Sequence, residues 1–510
     1  MTIHTKRLSL KRKEGKMTKP NIILITADHI RHDALACNGN GFVQIPNLDR
    51  LAKSGITFSN SFTPNPICVP ARASITTGNY PHKCTGFKTN SGRIKDGQPL
   101  IAQHFADAGY RTYAIGKLHY VPYSPPGKSR LLHGFQHAEI TEEGRILHQF
   151  APHGLQKGLE DYHDYLYEVG WGGYERAHGV GNNDVHPAPS PLPEEHYVDF
   201  WVAMRSIHYI KKHLENEGES PFFMWTSFPK PHSPYDPPEP YHRLYDARKI
   251  PKPIGDVEML EYKSPILKLM RANKAWELFP PQGVQLARAY YFGMVTFQDK
   301  MIGKILDFLE EEGLRENTII IYTGDHGDLL GDFGCFYKSN FLNGSVKVPF
   351  IISAPGLIPK GQVCSELVGL QDVLPTLASL TKTLLEQKVD GIDLAEVLTN
   401  DGICRKFYVS QCGHSPWQSY MLCDGKWKYI YSEANGFEEL YDLHADLNEL
   451  CNLAFEYKMK SEVARWRSLL ISWCKENGDA GMLDEDNLRR SNVNVEEAKF
   501  QYQAMGWRWY

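Results

Sequence analysis

The stretch Asn21-Ile-Ile-Leu-Ile-Thr-Ala27 decides the fold class. Its apolar residues run on without alternating with polar ones, which predicts a strand buried on both faces of a parallel sheet. Further strands are predicted at 56–60, 111–116, 222–228, 318–324 and 348–353, and helices at 48–54, 100–108 and about 284–312. Strands that alternate with helices predict an α/β sandwich built on a central, mostly parallel sheet.

The pattern changes after about residue 385. Short strands at hairpin spacing are predicted at 405–410, 419–423, 427–431 and 439–443, with glycines at the turns, and a helix at 457–476. We therefore predict three parts: a disordered segment over 1–19, a main domain over 20–385, and a smaller α+β subdomain with an antiparallel sheet and a tail over 386–510. Residues 121–193 are rich in Gly, His, Tyr and Pro and predict long surface loops, where specificity is usually built.

Composition narrows the class of protein. The chain has 510 residues, 42% hydrophobic and 23% charged, which is typical of a soluble globular protein with two domains. A net charge of −4 gives no reason to expect a nucleic-acid partner. No apolar run approaches the length of a membrane span, and the basic residues 1–16 lack the apolar centre of a secretory signal. The ten cysteines include no C-x-x-C pair and are compatible with reduced thiols, so we expect a cytoplasmic protein that does not bind membranes.

Two of the predicted strands end in an acid and an imidazole. Asp28-His29 follows the first strand, and Asp325-His326-Gly327-Asp328 follows the strand at 318–324. Ligands of open α/β sheets bind beyond the carboxyl ends of the strands. A single aspartate at such a place could simply cap the next helix. Two such pairs together predict a site for a divalent metal.

A third motif, Cys68-Val-Pro-Ala-Arg72, lies between these pairs. A plain cysteine would be a nucleophile only to the extent that its thiol ionises. The motif resembles the maturation signature of the formylglycine-dependent type I sulfatases, which belong to the alkaline phosphatase-like superfamily. The resemblance implies the sandwich fold of that superfamily, and it implies that a maturation enzyme oxidises Cys68 to formylglycine.

The same resemblance implies the metal ligands. It matches Asp28, Asp325 and His326 to ligands of the family and places residue 68 at the metal. The family usually has Asp or Gln after the first ligand, whereas this chain has His29, which leaves open whether His29 ligates the metal, orients a ligand or does neither. Oxygen ligands favour Ca²⁺ and imidazoles favour Mn²⁺. We expect Ca²⁺, with Mn²⁺ as the alternative.

The resemblance also implies an anion site and a proton donor. Lys117 and His119, in Gly116-Lys-Leu-His119, match the residues that bind the sulfate and the formylglycine hydrate. His232 matches the acid that protonates the leaving alcohol, Lys338 matches a lysine that bridges the sulfate and the leaving group, and Arg72 would pair with the hydrated aldehyde. Lys230 lies near His232 but matches the family less well.

These residues imply a sulfuric ester hydrolase that acts on a small molecule or oligosaccharide, through nucleophilic attack by residue 68 on sulfur. The rings in 121–193 suggest a sulfated carbohydrate or an aryl sulfate, since both stack on aromatic side chains. One alternative is a phosphonate monoester or phosphodiester hydrolase of the same superfamily, although that branch lacks an element like 116–119. Another is a catalytically inactive, carbohydrate-binding relative. A two-zinc phosphatase fits the Cys68 motif poorly.

Overall fold

An eight-stranded sheet forms the centre of the computed structural model, which describes residues 19–86, 88–119, 130–142, 158–399 and 405–498. Its strands are β1 (Asn21–Ala27), β2 (Ile56–Phe62), β3 (Arg111–Gly116), β4 (His137–Ile140), β5 (Phe222–Phe228), β6 (Thr318–Gly324), β7 (Phe350–Ser353) and β8 (Gln362–Gly369). They lie in the order β4-β3-β5-β1-β6-β7-β2-β8. Only the pairs that include β7 are antiparallel, so the predicted α/β fold with a mostly parallel sheet is confirmed.

The first strand is buried on both faces, as its sequence predicts. Ile23 and Ile25 belong to one hydrophobic cluster, and Ile22 and Leu24 belong to another. All four side chains are fully buried. Because successive side chains of a strand point to opposite faces, an unbroken apolar run supplies both cores at once. Each such side chain contributes about 1.5–3 kcal/mol to the free energy of unfolding.

Helices cover both faces of the sheet. The three predicted helices are present, with bounds Pro46–Lys53, Ile101–Asp107 and Pro281–Glu311. Two of them carry proline in their first turn, where its missing N–H costs nothing. In chain order the helices are α1 (Pro46–Lys53), α2 (Cys68–Thr77), α3 (Pro81–Cys84), α4 (Ile101–Asp107), α5 (Asp161–Glu168), α6 (Val198–Glu217), α7 (Pro265–Asn273), α8 (Pro281–Glu311), α9 (Asn343–Val346), α10 (Val373–Thr381), α11 (Leu394–Thr399), α12 (Lys460–Asn477) and α13 (Val495–Ala498).

The prediction of loops throughout 121–193 is wrong where β4 and α5 lie. Strand β4 pairs in parallel with β3 at the edge of the sheet. Three of its four residues are only partly buried, so its sequence carries little apolar signal. Residues 120–129 and 143–157 lie outside the described residues.

A second sheet confirms the predicted antiparallel subdomain. Its strands are β9 (Tyr408–Cys412), β10 (Ser419–Cys423), β11 (Trp427–Ser432) and β12 (Phe437–Asp442). Trp466 and Leu470 of α12 share a hydrophobic cluster with Tyr420 and Leu422 of β10. A short hairpin, β13 (Leu483–Asp484) and β14 (Asn487–Leu488), follows. The domain boundary near 385 stays a prediction, and the predicted disordered segment falls almost wholly on 1–18, outside the described residues.

The sheet brings its chemistry-bearing residues to one edge. Strands β1, β3, β5 and β6 are mutually parallel, so Asp28, Lys117 and Asp325 follow strand ends that lie side by side. Strand β7 is antiparallel to both β6 and β2, so β2 also ends at this edge, six positions before Cys68. Within the described ranges, no helix has both the length and the apolar character needed to cross a bilayer.

Candidate active site

Four buried side chains converge at the carboxyl edge of the sheet. Asp28, His29, Cys68 and His326 each offer one donor atom, and these atoms all lie within 4.8 Å of one another. All four residues have no solvent exposure. Asp325 is adjacent, with its Oδ1 atom 3.8 Å from Nε2 of His326. The two acid–imidazole pairs predicted from separate strands therefore meet at one point.

Hydrogen bonds to Nδ1 set the orientation of both imidazoles. Nδ1 of His29 lies 2.7 Å from Oδ2 of Asp328, and Nδ1 of His326 lies 2.9 Å from the carbonyl oxygen of Gly327. An ionised carboxylate and a backbone carbonyl can only accept hydrogen bonds, so Nδ1 carries the hydrogen in both histidines. Each Nε2 then presents its lone pair toward the cluster, which is the arrangement that holds imidazole ligands on a metal.

The donor set fits a divalent cation. It combines carboxylate oxygens, two imidazole lone pairs and the side chain at position 68, all buried and close enough to bind one ion. The carboxyl of Asp328 is held ionised for its part in this arrangement. Burial alone would raise its pKa, but hydrogen bonds from His29 and two backbone N–H groups hold that pKa below its usual value.

Cys68 is surrounded by positive charge. It is the first residue of α2, and its Sγ lies 3.1 Å from Nε2 of His326 and 3.4 Å from Nζ of Lys338. Burial and the nearby Asp28 raise the pKa of the thiol, but Lys338, Lys117 and His326 outweigh them and hold it well below its usual value. The positive end of a buried helix adds to this preference for an anion at position 68.

Lys117 and Asp28 form a buried ion pair. The ammonium of Lys117 contacts Oδ2 of Asp28, and both side chains are almost fully buried. Burial alone would raise the pKa of Asp28, but Lys117, followed by His232, His29 and Arg72, holds it well below its usual value. Asp28 is therefore an ionised ligand, and Lys117 is held beside it.

Arg72 links two strand ends beneath the cluster. Its Nε donates to Oδ2 of Asp325 at 2.8 Å, and its Nη1 donates to Oγ of Ser227 at 2.8 Å and to the carbonyl of Lys117 at 2.5 Å. Its Nη2 is buried and has no hydrogen-bond partner among the described residues. A buried guanidinium nitrogen without a partner is costly, and it marks a place where a bound oxygen atom would be stabilised.

His232 packs against the cluster, whereas Lys230 binds groups of the loop to which it belongs. The ring centroids of His232 and His29 are 4.0 Å apart, and Nδ1 of His232 donates to the carbonyl of Ser233 at 2.6 Å. Nζ of Lys230 lies 2.7 Å from Oδ1 of Asp236 and contacts two carbonyls of the loop. Lys230 therefore holds the loop that carries His232.

His119 is held at the rim of the site. Its backbone N–H donates to Oε1 of Glu142 at 2.7 Å, and its Nδ1 is buried without a hydrogen-bond partner among the described residues. Its φ of +59° and the φ of +64° at His29 lie in the left-handed region, which non-glycine residues rarely adopt and which concentrates at functional sites. Nine of the ten predicted site residues are joined by hydrogen bonds, ion pairs or ring contacts, whereas His119 forms no such contact with them in the described part of the chain.

The sequence did not single out two residues that matter here. Asp328 belongs to the quoted run 325–328, and its place three residues after Asp325 was the available signal. Tyr337 precedes Lys338, and its ring centroid is 6.1 Å from that of His29. Lys338 itself contacts Nε2 of His29 as well as Cys68.

Comparison with known proteins decides the family. The family model described as Sulfatase matches residues 20–383. The chain belongs to the sulfatase family. A model described as N-sulphoglucosamine sulphohydrolase, C-terminal, also matches residues 331–475 of this sulfatase.

Two curated relatives cover most of this sulfatase. An arylsulfatase of Clostridium perfringens is 31% identical over 92% of the chain and 97% of its own length. A choline-sulfatase of Rhizobium meliloti is 30% identical over 86% of the chain and 82% of its own length. The family and these relatives make the protein a sulfuric ester hydrolase, as the sequence predicted.

Solved structures agree with the fold. The phosphonate monoester hydrolase of Agrobacterium radiobacter has a TM-score of 0.77 and 22% identity, and covers 92% of this chain and 100% of its own. A protein solved in complex with its substrate D-glucosamine-2-N,6-O-disulfate has a TM-score of 0.70 and 21% identity, with coverages of 90% and 98%. These neighbours confirm the alkaline phosphatase-like architecture of this sulfatase.

Proposed function

We propose that this sulfatase removes sulfate from a sulfated carbohydrate, with a formylglycine made from Cys68 as its nucleophile. The observation that carries the proposal is the position of Cys68. Its Sγ lies within 3.7 Å of Asp28, His326 and Lys338, at the N-terminus of a buried helix. A nucleophile, cations and carboxylates thus share one point, which suits attack on an anionic ester.

Cys68 fits the role of a precursor. The motif from Cys68 to Arg72 resembles the maturation signature of the family, and the family model covers it. Oxidation to formylglycine would supply a hydrated aldehyde, one hydroxyl of which attacks sulfur while the other allows sulfate to be released. The side chain at position 68 has no solvent exposure in the folded chain.

Asp28, His29, Asp325 and His326 would hold the divalent cation together with residue 68. When bound, the cation would neutralise charge on the sulfate oxygens and help to ionise the nucleophile. Two imidazole lone pairs in the donor set weigh toward Mn²⁺, whereas the carboxylates suit the Ca²⁺ that the sequence led us to expect. Elemental analysis of protein purified without added metal distinguishes the two ions.

The remaining side chains would bind the sulfate, hold the nucleophile or protonate the leaving group. Lys117 and Lys338, which flank Asp28 and Cys68, are placed to bind the sulfate oxygens. His232 donates its Nδ1 hydrogen to a carbonyl, so Nε2 is the nitrogen that would transfer a proton to the leaving alcohol. Arg72 would use its Nη2 to hold an oxygen of the nucleophile or of the sulfate. His119 would act on the nucleophile from the rim.

A carbohydrate substrate is supported by the structural neighbour that binds a sulfated glucosamine and by the match to an N-sulphoglucosamine sulphohydrolase C-terminal model. The test is a panel of sulfated mono- and disaccharides, choline sulfate and nitrophenyl sulfate, assayed for sulfate release. We expect kcat/KM to be highest on a sulfated sugar. A higher value on choline sulfate would contradict the carbohydrate assignment.

Two controls test the chemistry itself. Mass spectrometry of the peptide that contains residue 68 should find formylglycine after expression with a maturation enzyme, and Cys68→Ala should abolish turnover while the protein stays folded. A peptide that holds only the thiol would favour the inactive, carbohydrate-binding alternative. Faster hydrolysis of a phenylphosphonate monoester than of an aryl sulfate would favour the phosphonate hydrolase alternative.

A further inference from the structure

A small cleft lies beside the catalytic centre, with the ring of Tyr337 between them. Asn183, Asp184, His186, Lys274, Trp276 and Phe279 line this cleft. The ring of Trp276 is 5.4 Å from the ring of Tyr337, whose ring in turn is 6.1 Å from that of His29. The hydroxyl of Tyr337 also donates to the carbonyl of Asn183. A group that extends from the bound sulfate past Lys338 would therefore reach this cleft.

The cleft contains an unneutralised lysine. Lys274 follows the last residue of α7 and is partly buried; its backbone N–H caps the helix, but its ammonium forms no hydrogen bond or ion pair within the described part of the chain. The carboxylate of the cleft is already engaged, since Oδ1 of Asp184 lies 2.5 Å from Nδ1 of His186 and accepts its backbone N–H at 3.0 Å. Burial first, and the nearby charge of Lys338 second, lower the pKa of Lys274.

Two fully buried lysines of the chain show the pairing that the ammonium of Lys274 lacks. Nζ of Lys230 lies 2.7 Å from Asp236, and Nζ of Lys428 lies 2.5 Å from Glu449. Lys338 faces Sγ of Cys68 and Nε2 of His29, whereas Lys274 lies close enough to feel the charge of Lys338 and has no carboxylate partner of its own within the described residues. Such charges cost free energy in the free protein. A bound anion would supply the missing negative charge.

We propose that Lys274 binds a second anionic group on the substrate, so that the preferred substrate is a sulfated sugar whose leaving group itself carries a carboxylate or a sulfate. This inference rests on the proposed function, in which Lys117 and Lys338 take the sulfate that is transferred. Lys274 is then available to bind the leaving group, which is the sugar without the transferred sulfate. It also opposes a cationic leaving group such as choline.

Matched substrates test this assignment. N-acetylated and N-sulfated forms of the same 6-O-sulfated glucosamine differ by one negative charge, and a sulfated uronic-acid disaccharide and its carboxyl-reduced form differ likewise. We expect wild-type kcat/KM to be higher on the doubly charged member of at least one pair, and that pair identifies the second anion as sulfate or carboxylate. Lys274→Gln should lower this ratio by roughly tenfold to a hundredfold, since a charged hydrogen bond is lost.

Lys388→Gln is the matched control, because Lys388 is an exposed lysine of the loop after α10. It should leave the ratio unchanged. Lys274→Gln should not lower the unfolding temperature, since it removes an unpaired charge, and it should raise kcat/KM on choline sulfate. An equal loss on both members of each pair would place Lys274 on the transferred sulfate and overturn the inference, as would an unchanged ratio.

Binding separates this inference from the proposed function. Calorimetry on Cys68→Ala, with and without Lys274→Gln, measures affinity for the same sugar pairs without turnover. If the matured wild type hydrolyses none of these esters, nor nitrophenyl sulfate, the proposed function fails. If it hydrolyses them while Lys274→Gln changes neither the kinetic ratio nor the binding ratio, the function stands and the role of Lys274 is refuted.

Discussion

Replacing Asp328 with asparagine tests whether His29 is a metal ligand. Oδ1 of Asp328 accepts the backbone N–H groups of Leu330 and Tyr337, both at 2.8 Å. An asparagine can keep both bonds through its oxygen and place its amide nitrogen where Oδ2 now faces Nδ1 of His29 at 2.7 Å. That nitrogen donates a hydrogen bond, so the hydrogen of the imidazole must move to Nε2. His29 then presents a hydrogen, and no longer a lone pair, to the cluster.

We expect Asp328→Asn to lose much of its metal affinity and little of its folding stability. Changing the partner that orients a ligating histidine typically costs 10- to 100-fold in metal affinity, or about 1.4–2.7 kcal/mol. The fold should lose only about 1–2 kcal/mol, since one charged acceptor is replaced by a neutral group of the same shape. We therefore expect Asp328→Asn to be folded and metal-poor.

The assay is metal affinity by calorimetry on chelator-treated protein, with elemental analysis after dialysis and kcat measured over a range of metal concentrations. Tyr235→Phe is the control, because the Tyr235 hydroxyl donates to the same Oδ2 atom at 3.2 Å but leaves the tautomer of His29 unchanged. It should retain wild-type metal affinity. Wild-type affinity in Asp328→Asn would refute the ligand role of His29.

Three further outcomes are expected. His232→Gln should lower kcat roughly 10²- to 10⁴-fold on sulfated sugars but far less on nitrophenyl sulfate, whose phenolate leaves without a proton, and equal losses in steady-state kinetics would exclude His232 as the acid. Gly116→Ala should lower the free energy of unfolding, measured by chemical denaturation, by ~3–5 kcal/mol, because Gly116 has a φ of +102° and a Cβ there would lie 2.0 Å from the carbonyl oxygen of Ser227. Gly109→Ala is the control: Gly109 has a φ of +86° and a Cβ there would have no atom within 4 Å, so the loss should be only ~1–2 kcal/mol. Burial alone would lower the pKa of His163, but hydrogen bonds to two glutamates raise it to about 10, so its stabilisation is complete below pH 6.5 and is lost as the pH rises through about 10. The free energy of unfolding of the wild type relative to His163→Gln should therefore fall by ~1.4 kcal/mol per pH unit between pH 7 and pH 10, and an equal slope in both proteins would contradict this.

The central strands could be predicted because their signal is local. The bounds of β1, β3, β5 and β6 match the prediction, since their residues are buried almost throughout and the apolar run ends where the strand ends. Strand β8 at the sheet edge has five residues with at least partial exposure at its start, and no comparable run identifies it. Edge strands satisfy their hydrogen bonds through tertiary pairing that the sequence does not spell out.

The site residues likewise fall into those that the sequence predicts and those that only the folded structure reveals. Residues that follow a strand end, such as Asp28 and Asp325, were predictable because parallel strands share an edge. The hydrogen bond between His29 and Asp328 joins residues 299 positions apart, and it fixes a tautomer that no local pattern reveals. Lys274 comes from the end of a helix outside every motif, so its position beside Lys338 emerges only from the packed structure.

Cys68 and His326 lie far apart in the sequence, so a ribosome adds them at well-separated times. These two residues, whose side chains meet at 3.1 Å, are separated by 258 positions. At the usual ~5–20 residues per second, a ribosome needs about 13–52 s to add that stretch. For all of that interval the pocket that encloses Cys68 lacks one of its walls, whereas in the finished fold the thiol has no solvent exposure. Any enzyme that converts Cys68 would have to act before the chain has folded around it, so the time between synthesis of residue 68 and closure of the fold becomes a determinant of how many molecules are active.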